Sequence, residues 1–382
     1  MEKGRPRDLV LSIFLALVVL EGTAFLAVQA LRRTPATFLL YHPPRLTIPE
    51  YERYLVTRDP ELGWPAPGDI GSTKYDTSGS RPVPAFPEPG GECVSLYGDS
   101  FTYSPEVSDA DTWGNVLARE LGCRVANFGV QAYGTDQALL RFERNAGDRA
   151  PVVILGFFVR DVLRNVSQYL QLDFTNLPTS FKPRFVADAG GLRTIALPHV
   201  PAADLAAFAE DPARFLTHET FLPGSRFGPV RSAFPYSRVL LGLATSERLW
   251  ARIAGRPNWA DFLAPDHPAG GLEVTVRIME RFVAGCRARG AHGLVIVFPA
   301  DSSYAYAAET GIDPTRHLTA ALTRADIDHL DLAPGLARHL GGRSYGELLA
   351  SPGGHHNAEG DRVVAALVRA HLAERGLLPR GK

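Results

Sequence analysis

The sequence predicts an α/β protein built on a mostly parallel sheet with helices on both faces. Three observations carry this. Between residues 91 and 376, short apolar runs alternate with segments of helical periodicity. The third run, "PVVILGFF", is apolar throughout, as a strand buried on both faces requires. With 382 residues and 45% hydrophobic content, the chain can bury one large core or two modest ones.

Taken in order, "CVSLYG" reads as the first strand. "TWGNVLAREL" is a helix whose Trp113, Val116, Leu117 and Leu121 recur at helical spacing. "RVANFGV" is the second strand, and "TDQALLRFERN" a helix that Thr135 or Asp136 would cap. After "PVVILGFF" the alternation stops from Val166 to about Gly271, which reads as an insertion at 166–271 shaping a cleft or lid. Within it, "FKPRFVADAGGLRTIALPHV" suits a hairpin, and "PAADLAAFAEDPARFL" and "YSRVLLGLATSERLWARIAG" suit helices. Trp250, Trp259, Phe227 and Tyr236 there offer faces for sugar rings, although packing is the commoner use of such residues. The pattern resumes with "EVTVRIMERFVAGCRARG" (helix), "GLVIVFPA" (strand), "PTRHLTAALTRA" (helix) and "IDHLDLA" (strand), and closes on the amphipathic "NAEGDRVVAALVRAHLAERG".

The N-terminal region is of a different kind. A basic tail, residues 1–8, precedes Leu9–Leu31, which is interrupted by a single charge, Glu21. That length suits a membrane-spanning helix. Leu9–Leu20 alone would suit a signal-peptide core, with Val28-Gln29-Ala30 as a cleavage site, but the total length favours an uncleaved anchor. Arg32 and Arg33 nearly balance Lys3, Arg5 and Arg7, so flanking charge sets orientation only weakly. With the tail in the cytoplasm, the rest of the chain lies across the membrane. Glu21 is costly in lipid and suits a partner helix or a proton, the alternative being one carboxyl simply tolerated near the helix middle. Residues 32–90, rich in Pro and Gly, read as a stalk or a segment draped over the main domain at 91–376.

A net charge of −1 without single-sign blocks argues against nucleic acid as a partner. Cys93, Cys123 and Cys286 match no zinc spacing and are too few for a disulfide framework, and the odd count leaves at least one unpaired; Cys93 and Cys123, on two expected strands, could be neighbours, but they read as buried apolar residues. No phosphate-cradling Gly-rich loop follows the first strand. Neither a metal nor a cofactor is expected.

Ligands of parallel sheets bind beyond the C-terminal ends of the strands. Gly98-Asp99-Ser100 stands at one such end, and on its own it is an ordinary turn. A serine nucleophile needs a base within hydrogen-bond reach. His355 and His356, in the loop "SPGGHHNAEG", precede the last helix.

In combination these pieces resemble the SGNH/GDSL hydrolases over roughly residues 58–375. The resemblance is to the membrane-anchored bacterial members found with cell-surface polysaccharide genes. It is carried by "DPELGW", "YDTSGSR", "YGDSFTY", "NFGVQAYGTDQALLR", "GFFVRDVLRN" and the late His-x-Asn-x-x-Gly. It implies a flavodoxin-like three-layer α/β/α sandwich. It also implies Ser100 as nucleophile, His355 rather than His356 as general base and then acid, and the Ser100 N–H as an oxyanion donor. Gly98, Asp99, Asn127, Gly129 and Asn357 complete the motifs. The implied activity is an extracytoplasmic esterase or O-acyltransferase, in the periplasm on a bacterial inner membrane, acting on an ester-bearing envelope glycan.

The chain departs from the family pattern at three places. Ala132 stands where the second oxyanion donor is a Gly, and Arg160 where the third is an Asn. Pro352 and Gly353 stand where the triad acid should be, and nothing sets Asp331 or Glu347 beside the imidazole. These departures motivate the alternative of a catalytically degenerate domain kept for glycan binding or polysaccharide assembly.

Overall fold

The computed structural model describes residues 6–44, 46–174 and 180–378. Residues 1–5 of the expected tail and 175–179 of the expected insertion lie outside the described residues.

In chain order the helices and strands begin with α1 (Pro6–Leu31), α2 (Ile48–Thr57), β1 (Val94–Tyr97), α3 (Ser100–Tyr103) and α4 (Trp113–Leu121). Next come β2 (Val125–Asn127), α5 (Thr135–Arg144), β3 (Val152–Phe158) and α6 (Asp161–Arg164). A hairpin, β4 (Arg184–Asp188) and β5 (Gly191–Ile195), leads to α7 (Leu205–Glu210), α8 (Tyr236–Ala244), α9 (Glu247–Ile253) and α10 (Asn258–Phe262). The chain ends with α11 (Gly271–Ala288), β6 (His292–Phe298), α12 (Asp301–Thr310), α13 (Arg316–Arg324), β7 (His329–Asp331), α14 (Ala333–Leu340) and α15 (Ala358–Glu374).

The chain divides into two compact units. One comprises Met1–Glu50, Tyr169–Ser180 and His199–Arg256; the other comprises Tyr51–Gln168, Phe181–Pro198 and Pro257–Lys382.

The larger unit holds the sheet, in the order β2-β1-β3-β6-β7 with every pairing parallel. This is the doubly wound, flavodoxin-like order. Central β3 is buried at every position, in keeping with its unbroken apolar sequence. Helix α4 begins at Thr112, whose hydroxyl accepts from Asn115 N–H, and ends at Gly122 in the left-handed region. Helix α5 differs from expectation. Its N-cap is Gly134, whose N–H is taken by Gln137 Oε1, and Thr135 and Asp136 lie one and two residues inside. Asp136 is buried against the fully buried Lys182, whose ammonium also donates to the carbonyls of Arg164, Ser167 and Pro183. A buried lysine needs this many acceptors to stay charged.

The expected unpaired state of Cys93 and Cys123 is also corrected, because the two form a disulfide. Parallel pairing of β1 with β2 sets Val94 beside Val125, and Cys93 N–H donates to the Arg124 carbonyl, so the chain brings the thiols together just ahead of both strands. Cys286 is free and buried.

In the smaller unit, α1 runs beside α8. Val28 joins Leu39, Leu40, Val230, Val239 and Leu243 in an apolar cluster. Glu21 has its partner helix: its carboxylate accepts from the N–H groups of Tyr236 and Ser237 and from the Ser237 hydroxyl.

Candidate active site

Ser100 is the first residue of α3, directly beyond β1, and is 5% exposed. Asp99 caps the helix through Phe101 N–H at 2.8 Å, which fixes where the serine points. The turn is close-packed. A Cβ on Gly98 would come within 2.8 Å of the Gly156 carbonyl oxygen, and one on Gly129 within 2.7 Å of Tyr103 N. Both positions therefore require glycine. Asn127 ties the second motif to the first, donating to the Thr102 carbonyl at 2.7 Å and accepting from Gly129 N–H at 2.9 Å.

Among the described residues, neither the Ser100 N–H nor the Ala132 N–H is taken by an acceptor. Ala132 has φ of 62°, the left-handed region that glycine enters freely and alanine at a cost of roughly 1–2 kcal/mol. The alanine therefore keeps the backbone conformation a glycine would take. Arg160 is half-buried just past β3.

His355 and His356 diverge in role. His356 is 2% exposed, exchanges a 2.8 Å hydrogen bond with Tyr345 Oη, and lies 3.7 Å from Asp361. It belongs to the packing. His355 is partly exposed, its ring 5.1 Å from that of Phe101, the residue after the candidate nucleophile. Asn357 caps α15 by accepting from Glu359 and Gly360 N–H, and donates to the carbonyls of Glu347 and Leu349, which steadies the loop.

A carboxylate from a distant part of the chain stands beside His355. Glu106 Oε1 lies 3.4 Å from His355 Nδ1. Asp331 instead accepts from Ala333 N–H, and Glu347 pairs with Arg343. Among the described residues His355 Nε2 has no partner, and the Ser100 hydroxyl has only Asp99 Oδ2 at 3.5 Å. Serine and imidazole are not hydrogen bonded to each other.

Beneath Ser100, the buried Arg164 guanidinium donates to Asp99 at 3.2 Å, to Asp161 at 2.7 Å and to the Tyr133 carbonyl at 2.8 Å. One cation serves two buried carboxyls. Burial, with the neighbouring Asp99 charge, pushes Asp161 well above the usual carboxylate range. Burial also raises Asp99, against the opposing charges of Arg164 and His355.

Two upstream motifs brace this site. In "YDTSGSR", Asp76 folds the turn through Ser78 and Ser80, and Arg81 reaches across the loop after α3. Its guanidinium donates to the carbonyls of Tyr103, Ser104 and Val107 and to Asp109. That loop carries Glu106. In "DPELGW", Trp64 Nε1 donates to the Gln131 carbonyl at 2.8 Å, and Tyr133 Oη donates to the Trp64 carbonyl, enclosing the Ala132 turn. Of the aromatic residues singled out in the insertion, Trp259 is 1% exposed and Trp250 is 53% exposed.

No family model matches the chain. No curated protein matches it either. Solved structures similar to it include an acetyl-xylooligosaccharide esterase from Geobacillus stearothermophilus, at 11% identity and TM-score 0.40, covering 74% of this chain and 94% of that one. Another is a member of the lipolytic protein G-D-S-L family from Veillonella parvula, at 12% identity and TM-score 0.32, covering 72% and 96%. A third is an alpha/beta hydrolase enzyme from the metagenome of Lake Arreo, at 13% identity and TM-score 0.40, covering 77% and 99%. At these identities and scores the likenesses carry no argument about chemistry, which rests on the site itself.

Proposed function

We propose that the chain is an SGNH-type serine esterase or O-acyltransferase that works through Ser100, His355 and Glu106. The observation that carries this reading is the convergence of the Glu106 carboxylate on His355 Nδ1, while His355 Nε2 stays unclaimed next to the Ser100 helix.

In this mechanism Ser100 Oγ attacks the ester carbonyl carbon and passes its proton to His355 Nε2. Glu106 holds the ring in the tautomer that leaves Nε2 as acceptor and offsets the charge of the imidazolium. The Ser100 and Ala132 N–H groups receive the oxyanion, with Arg160 as a third, charged donor. The tetrahedral species collapses by breaking the bond to the alcohol oxygen, which takes the proton from His355. An acyl group is left on Ser100. Water or a sugar hydroxyl then gives its proton to His355 and attacks the acyl carbon. Release of Ser100 Oγ, reprotonated from His355, completes either hydrolysis or transfer.

The same reading makes α1 an uncleaved anchor in a bacterial inner membrane, with the catalytic unit in the periplasm. Support comes from Val28, whose place in an apolar cluster a leader cut after Ala30 would empty, and from Glu21, whose bonds to α8 would be lost with it. The Cys93–Cys123 disulfide favours an oxidising compartment. An ester-bearing envelope glycan as substrate follows from the sequence resemblance.

The test is fluorophosphonate labelling of the full chain in detergent. Wild type should label, and Ser100→Ala and His355→Ala should not. A folded wild type that stays unlabelled would instead favour the degenerate, glycan-binding alternative.

A further inference from the structure

The anchor's outer half is not surrounded by lipid on every side. Leu9–Leu20 is exposed at every apolar position, but from Glu21 onward one face of α1 turns inward, with Ala24 and Val28 fully buried. The other face stays apolar and open, with Leu26 at 66% exposure. Helix α8 covers the inward face: Phe25 meets the Tyr236 ring at 5.0 Å, and Val239 and Leu243 cluster with Val28.

The lengths then conflict with a simple span. From Arg7 to Glu21 an α-helix rises about 21 Å, whereas the hydrocarbon layer is about 30 Å thick. If Arg7 marks the cytoplasmic edge, Glu21 and the start of α8 lie about 9 Å short of the opposite edge. Whatever surrounds α1 over that interval must itself tolerate lipid.

The surface of α8 and α9 has that character. Phe234, Leu241, Trp250 and Ile253 are all more than half exposed. Trp250 satisfies its N–H internally, on the Ala244 carbonyl, and so presents an apolar ring. The exposed charges flanking this face are Arg238, Arg252 and Arg256, while the acidic residue between them, Glu247, is paired with Arg226. Apolar side chains with basic flanks are the composition of a helix lying in an anionic lipid interface.

We infer that α8 and α9, with Phe234 ahead of them, form a membrane-embedded interfacial element. It is seated in the leaflet on the folded side of the bilayer that α1 crosses, and its occupant is phospholipid. This rests on α1 being an anchor. Within the element Glu21 accepts from the first N–H groups of α8, which is how the carboxylate is accommodated short of the membrane edge.

The experiment places an environment-sensitive fluorophore on single cysteines in the full chain reconstituted into phosphatidylethanolamine and phosphatidylglycerol vesicles containing doxyl-labelled lipid. The substitutions are Leu15→Cys, Phe234→Cys, Leu241→Cys and Ile312→Cys. The native cysteines are disulfide-bonded or buried and stay unlabelled. Emission at positions 15, 234 and 241 should be quenched, and emission at 312 should not. Quenching at 15 without quenching at 234 and 241 overturns the inference and leaves the anchor standing. Absence of quenching at 15 overturns the anchor and the inference together.

Discussion

The Glu106 carboxylate lies 3.4 Å from Nδ1 of His355, although 249 residues separate the two in the chain. In a triad, the group on Nδ1 fixes the tautomer that lets the other ring nitrogen take the nucleophile's proton. Glu106→Gln should therefore lower kcat by roughly 10²–10⁴ and leave the melting temperature unchanged. Steady-state hydrolysis of an aryl acetate ester provides the assay, and an unaltered kcat would remove Glu106 from the mechanism.

In the proposed mechanism Arg81 positions that carboxylate, because its fork holds the backbone on both sides of Glu106. A lysine cannot reproduce the fork. Arg81→Lys should reduce kcat by about 10²-fold, the cost of displacing a catalytic group by about an ångström, with KM little changed. Combined with Glu106→Gln it should add almost nothing, whereas a general loss of folding would multiply the two effects.

Ala132 spends conformational energy that a glycine would not. Ala132→Gly should leave stability unchanged or raise it by up to about 1 kcal/mol, and activity should survive because the donor is the backbone N–H. Ala132→Val, β-branched in the same left-handed conformation, should destabilise by about 2 kcal/mol or more. Urea denaturation of the three proteins gives the comparison.

The disulfide closes a loop with a sequence separation of 30 residues. Replacing Cys93 and Cys123 together by Ser should cost about 3–4 kcal/mol in the chain-entropy account. Cys286 should not alkylate in the native state, since it is buried and its thiol is pushed up to about 12. Mass spectrometry after native iodoacetamide treatment should find no adduct.

Asp161 makes stability depend on pH in an unusual direction. Its folded-state pKa lies above the unfolded value of about 3.9, so its contribution is fully present below that value and is lost as pH rises through the folded-state pKa. Asp161→Asn, which keeps an acceptor for Arg164, should flatten this dependence and be at least as stable as wild type at pH 7. A melting temperature that falls sharply for the variant at pH 7 would show that the carboxyl is ionised in the fold.

Much of the sheet is legible in the sequence because β1, β3 and β6 are short apolar runs of a length only buried strands take. Helix α12 is not, since "DSSYAYAAET" carries no apolar stripe and buries only Ser303 along its length. Thr135 and Asp136 mislead as caps because Asp136 is drawn to Lys182, a tertiary contact that no local rule contains. Motif spacing is what singles out Ser100, His355 and Asn357 as candidates. Glu106 is not, because its proximity to His355 depends on how the loop after α3 meets the loop before α15. Locally Glu106 is one of three acids in the stretch after the serine, with Asp109 and Asp111.

The burial of Val28 and the capping of α8 by Glu21 make the N-terminal helix a structural member of the smaller unit, besides the anchoring proposed for it. Exchanging it for a generic hydrophobic span, or trimming it to make a secreted form, would strip the floor from the smaller unit and leave Val230, Val239 and Leu243 facing water. A version without α1 therefore has to be engineered by rebuilding that face, and under the proposed anchoring tethering cannot be varied independently of folding.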